Sequence, residues 1–196
     1  MNVFMKAQLP IVSMALLLGA ALLTLSPIAD AQDKKKDAER AERNKMANDT
    51  LQRLYKTEPK AKAAIEKAAG YAVFSNFGMK ILVAGGGSGQ GLAKDKAGKV
   101  TYMKMLEMQA GLGFGVKKFR LVWVFDTPDA YNKFVNSGWE LGSQATVSAK
   151  KGDQGAGAAG AMPVSPGIWL YQLTDDGLAL ELTAKGTKYS KDEALN

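Results

Sequence analysis

The sequence contains neither cysteine nor histidine. Without cysteine there is no disulfide framework, no thiol nucleophile and no lipid-modified cysteine, so packing alone must hold the chain. Without histidine there is no imidazole base, no Ser-His or Cys-His pair and almost no route to a zinc site. Carboxylates alone remain for acid/base work or for calcium. Long apolar runs are scarce as well. After Leu25 no segment is long and apolar enough to span a bilayer, so a chain shortened there is expected to be soluble or peripheral. What the chain has in excess is positive charge, with 26 Lys and Arg against 19 Asp and Glu, a formal +7. Such an excess suits anionic partners such as phospholipid headgroups, lipopolysaccharide or nucleic acid. Charge of this size also serves plain solubility.

The N-terminus reads as a secretory signal peptide over residues 1–31. Lys6 supplies a short positive region, and an apolar run extends from Leu9 to Leu25. Ser26 and Pro27 then interrupt it, and Ala29 and Ala31 give the small-x-small pattern expected of a cleavage site before Gln32. The rival reading is an uncleaved anchor, for which the run is somewhat short. Lys6 and Asp30 cancel within this segment, so the basic excess belongs to the exported part. The expected location is the periplasm or cell envelope.

From residue 32 the chain is expected to form one domain of the α+β class, with a mainly antiparallel, glycine-rich β core, sheet or barrel-like, N-terminal helices and one inserted helix. Residues 32–45 (from Asp33, DKKKDAERAERNK) form a charged, solvated helical lead-in. Residues 46–196 form the domain proper. Ala47, Leu51, Leu54 and Tyr55 give helical periodicity, and Pro59 ends that helix. Ala61, Ala64, Ile65, Ala68 and Ala69 share one face of a second helix, with Gly70 as its stop. The small alanine face predicts close packing on a sheet.

Strands are expected over Tyr71–Phe74, Ile81–Ala84, Val100–Leu106, Ala110–Val116 and Leu121–Phe125, and in the alternation from Trp139 to Val147. The continuously apolar LVWVF run predicts burial on both faces. Thr127, Pro128 and Gly138 mark the cap, first turn and end of an inserted helix facing the core through Ala130, Phe134 and Tyr131. A long Gly- and Ala-rich loop follows over Lys150–Gly167, then Ile168–Leu173 and Leu178–Thr183 joined by a hairpin at Thr174–Gly177.

The glycine clusters do not build a nucleotide site. Gly85–Gly91 lacks the Lys-Ser/Thr of a phosphate loop. Gly155, Gly157 and Gly160 satisfy G-x-G-x-x-G, but Pro163 leaves no helix to receive a pyrophosphate. Close backbone packing accounts better for these glycines. Asp175 and Asp176 suit a hairpin turn, Asp126 and Asp129 a helix start, and Glu107, Glu140 and Glu181 stand singly, so no acid pair for catalysis emerges. The expectation is no enzyme, no cofactor and no metal. The candidate site is basic. Lys117, Lys118 and Arg120 are placed in a connector between strands, and Lys150 and Lys151 open the long loop. Loops on one side of a sheet could gather them into one lipid-binding patch. Trp123 and Phe125 read as core rather than stacking platforms, and no nucleic-acid site is expected.

Four ordered blocks carry a family resemblance. GYAVFSNFGMKILVAGGGSGQGLA (Gly70–Ala93), GLGFGVKKFRLVWVF (Gly111–Phe125), WELGSQATVSAKKGDQG (Trp139–Gly155) and LYQLTDDGLALELTAKGTKYS (Leu170–Ser190) together resemble the SYLF domain. The resemblance implies a module that binds phosphoinositides or other anionic membrane lipids, with actin binding in some eukaryotic members, and exported proteins among bacteria. MKMLEM (Met103–Met108) stands where many members carry Trp-Ser-x-Pro, so no role of that segment transfers. The expected partner is therefore anionic membrane lipid, the alternative being a structural or protein-interaction module of the periplasm.

Overall fold

The computed structural model describes residues 26–81, 84–110, 115–138, 140–141, 160–175, 177–179 and 186–196. Helices α1 (Ser26–Thr57) and α2 (Lys60–Lys67) precede strands β1 (Gly70–Ile81), β2 (Ala84–Asp95), β3 (Val100–Ala110) and β4 (Gly115–Phe125). Helix α3 (Pro128–Asn136) follows, then β5 (Glu140–Leu141), β6 (Met162–Ser165), β7 (Ile168–Thr174), β8 (Gly177–Ala179) and β9 (Thr187–Lys191). This is the expected α+β class. The chain divides into Met1–Asp37 and Ala38–Asn196, and the second unit holds the sheet.

The strands form one sheet in the order β5-β9-β3-β2-β1-β4-β7-β6, with β8 beside β7. Every described pairing is antiparallel. The sheet curls. In a flat sheet the four steps from β9 to β4 would separate them by about 19 Å. Yet the rings of Trp123 on β4 and Tyr189 on β9 lie 5.3 Å apart at 79°. Phe74 and Phe134 join them, with ring centroids 4.9 and 5.1 Å from Tyr189. The aromatic cluster therefore fills the inside of a half-barrel, with α3 lodged in it through Tyr131, Phe134 and Val135.

A second cluster covers the convex face. Ala47, Leu51 and Leu54 of α1, Ala61 and Ile65 of α2 and Ala68 just beyond it pack on Val73, Leu92, Val122, Val124, Tyr171 and Leu173. The alanine face of α2 thus meets the sheet as expected. β4 is buried on both sides from Leu121 to Phe125, Leu121, Trp123 and Phe125 turning inward and Val122 and Val124 outward. Burial keeps the core tyrosines neutral: it pushes the phenols of Tyr131 and Tyr171 up to about 12 and raises Tyr189 further still.

Several boundaries differ from the sequence reading. Helix α2 ends at Lys67, where Ala68 turns extended with ψ 157°. Gly70 is no helix stop but the first residue of β1. A Cβ there would overlap the Tyr131 ring, so packing and not backbone conformation demands glycine. Ile81–Ala84 is no strand of its own: β1 ends at Ile81 and β2 begins at Ala84, paired as Ile81↔Ala84. The glycine run that follows is β2 itself, and a Cβ at Gly91 would strike the Val73 carbonyl and the Phe74 ring. Of the expected Ala110–Val116 strand, Ala110 closes β3 and Gly115 opens β4. Residues 111–114 lie outside the described residues. The long loop is shorter than expected, because Met162–Ser165 pairs with β7 as β6. Trp139 and 142–159, with most of the alternation and of the loop, lie outside the description, as do Asp176 and 180–185.

The charged lead-in is helical, and its second half is not merely solvated. Arg40 donates from Nε to the Leu195 carbonyl at 2.9 Å. Arg43, only 5% exposed, donates to the Met103 carbonyl at 3.0 Å and pairs with Asp192 at 2.6 Å. Helical spacing explains this, since Arg40, Arg43 and Asn44 continue the stripe of Ala47, Leu51 and Leu54.

Candidate functional site

Lys118 and Arg120 lie within β4 rather than in a connector. The alternation that sends Phe119 and Leu121 inward leaves Lys118 and Arg120 on the convex face, in line with Val122 and Val124. Lys118 is exposed and Arg120 half-buried. Paired lysines read as a loop in sequence, but here Lys118 stays exposed and Arg120 reaches Thr50 of α1, so charge is tolerated within a strand. Lys117 holds the β4 position opposite Gly78. Lys150 and Lys151 lie outside the described residues. Ala29 and Ala31 fall within the first turns of α1.

Helix α1 supplies the other wall. It crosses the convex face from β3 to β7, and its polar side chains fasten it at each stage. Asn44 donates to the Tyr102 hydroxyl at 3.0 Å. Arg120 donates from Nη1 to the Thr50 hydroxyl at 3.2 Å. Arg53 donates to the carbonyls of Thr174 and, at 3.2 Å, Asp175. About 15 Å of helix separates Arg43 from Arg53, close to the width of the strands it straps.

Between helix and sheet lies a cleft of about 320 Å³ bordered by Arg53, Lys118 and Arg120, with Ser75, Thr174 and Asp175. Three cations thus border one recess, and among the described residues on its rim Asp175 is the one acid. A second cleft of the same size shares Ser75 and continues along Glu42, Arg43 and Met46. Arg53 was not singled out from the sequence. The signal was present in the polar pair Thr50 and Arg53, one helical turn apart beside Leu51 and Leu54, but its meaning depends on where the helix docks.

The residue set suits electrostatic binding of an anion, since guanidinium forks and a lysine meet phosphate or carboxylate oxygens well. Elsewhere, Asp126 accepts from the Trp169 indole at 2.8 Å. Glu107 is fully buried in β3. Among the described residues no three acids gather into a metal site, and no helix is long and apolar enough to cross a membrane.

No family model matches the chain. The chain is 35% identical over 153 residues to Beta cell expansion factor A of Aeromonas veronii, a match covering 78% of this chain and 57% of that protein. At that length and identity the two are homologous, and the chain spans little more than half of its relative.

Proposed function

We propose that the chain is a non-enzymatic, exported envelope protein with a SYLF-like domain that binds anionic lipid peripherally. The observation that carries this reading is the convergence of Arg53, Lys118 and Arg120 on one recess of the convex face. A headgroup phosphate is a matching ligand, and the chain's net charge of +7 draws it toward an anionic surface. The four sequence blocks that resemble the SYLF domain support the same class of ligand. The pattern ending at Ala29 and Ala31 supports export with removal of residues 1–31.

The test is sedimentation of the exported chain with vesicles of phosphatidylglycerol in phosphatidylcholine against phosphatidylcholine alone. Binding is expected to require the anionic lipid and to weaken as salt rises. The double variant Lys118→Ser, Arg120→Ser, with its fold checked by circular dichroism, is expected to lose roughly thirtyfold in affinity, since each basic residue near a surface contributes about 1 kcal/mol. Equal sedimentation with neutral vesicles, or none with either, would sink the reading. A stoichiometric protein partner without lipid would favour a periplasmic interaction module instead.

A further inference from the structure

We infer that the domain enters the bilayer interface at Leu106 on β3, between Lys104 and Lys188, an inference that rests on the lipid-binding reading above. Leu106 is 55% exposed and is the one exposed large hydrophobic side chain among the described residues. It stands in the middle of a sheet face, not on a loop tip. Strand alternation explains its direction, because Met103 and Met105 turn into the aromatic interior while Lys104 and Leu106 turn outward.

The surroundings make this leucine more than a stray apolar residue. It faces Lys188 across the β3–β9 ladder and Ser88 across the β2–β3 ladder. Lys104, on the same face of β3, is paired with Ser190 on one side and Gln90 on the other. The result is one apolar tip beside two exposed lysines and the polar positions Ser88, Gln90 and Ser190, with Glu140 of β5 opposite Lys188 on its far side. The helices α1 and α2 cover the other end of these strands, where the outward residues are Leu92, Val122 and Val124. Past that cover the described outward side chains Ser75, Ser88, Gln90, Lys104, Lys118 and Arg120 are polar or basic, with Leu106 the exception among them.

A cleft of about 430 Å³ opens beside it, bordered by Lys104, Leu106, Lys188 and Ser190. Among the described residues that border the cleft Asp192 is the one acid, and Arg43 holds it at 2.6 Å. Lysines that meet headgroup phosphates while an apolar side chain sits among the upper acyl segments form the pattern of an interfacial anchor. The two lysines select an anionic bilayer over a neutral one. This cleft shares Arg43, Ser88 and Gln90 with the middle cleft of the groove, so the anchor and the Arg53–Lys118–Arg120 recess border one continuous surface feature.

The chain has no cysteine, so Leu106→Cys can carry a single environment-sensitive fluorophore. Asn136→Cys, at the exposed end of α3, serves as the control. With phosphatidylglycerol-containing vesicles the label at position 106 is expected to shift to the blue and the label at position 136 to stay unchanged. Leu106→Ser is expected to lower vesicle affinity roughly five- to tenfold with an unaltered circular dichroism spectrum, and Leu106→Phe to retain it. If the unsubstituted chain binds anionic vesicles while the label at 106 does not move and Leu106→Ser binds normally, the anchor is wrong and the lipid reading stands. If the unsubstituted chain binds no vesicles, both fall. A shift at position 106 produced equally by soluble polyglutamate would overturn the bilayer as the occupant in favour of an acidic protein.

Discussion

Arg43 shows how much one side chain decides in this protein. It sits on a stretch of sequence that is charged nearly throughout, yet it is buried and joins three parts of the chain: α1, the Met103 carbonyl of β3 and Asp192 near the C-terminus. A buried ion pair is weak evidence of net stabilisation, but removing one partner strands the other without compensation. Arg43→Met is therefore expected to destabilise the fold by about 3 kcal/mol, read as a lower urea midpoint at constant slope. Asp192→Asn keeps an acceptor for the guanidinium and is expected to lose less. An unchanged midpoint for Arg43→Met would mean that α1 is not clamped to the sheet through this residue.

At the scale of elements, α3 was legible because its signals are local. Thr127 accepts from the Ala130 amide at 3.2 Å, Pro128 occupies the first turn, and Gly138 follows at φ +62°. Removing such a cap costs about 1 kcal/mol. Thr127→Ala is expected to lower the thermal midpoint by roughly 2–4 °C in a domain of this size, measured by following ellipticity on heating. β4 was legible only in half. Its apolar end, Leu121–Phe125, announced burial on both faces, while its basic end looked like a loop because lysine pairs seldom occupy a covered strand. The glycines of β2 read as sites of close backbone packing, and Gly91 is one; that they lie within a strand was not legible, because it follows from the need for Phe74 to lie against Gly91. β9 carried little signal of its own, being a strand of alternating polar and buried residues that gains meaning only beside β3.

For the whole molecule, burial on both faces of the sheet sets its response to pH. Tyr131 and Tyr189 lie inside the curl and Tyr171 on the convex face under the helices, and burial holds their phenols neutral, Tyr131 and Tyr171 to about pH 12 and Tyr189 beyond that. Tyr55 and Tyr71 are raised as well, chiefly by burial. In the unfolded chain these groups ionise near their ordinary value of 10, so from there upward the folded state binds more protons than the unfolded one. Stability is thus fully present below pH 10 and is expected to fall between pH 10 and 12. The check is alkaline titration, in which tyrosinate absorbance and loss of ellipticity should rise together. Ionisation of all tyrosines near pH 10 with the fold intact would contradict the packing described. The absence of histidine removes the side chain that would otherwise titrate between about pH 5 and 8.

By itself the sequence determined the class of the fold, the inserted helix and the burial of Leu121–Phe125. Each of these depends on residues close together in the chain, where spacing and capping act directly. It also established the basic excess and the lack of thiol and imidazole chemistry, which are matters of composition. Only the tertiary structure decided which cations meet. Arg53 lies on a helix far in sequence from Lys118 and Arg120, and they share a recess because α1 crosses the strands instead of running along them. The same holds for Leu106, whose exposure follows from where the helices stop covering the convex face, a boundary set by packing and not by any local pattern.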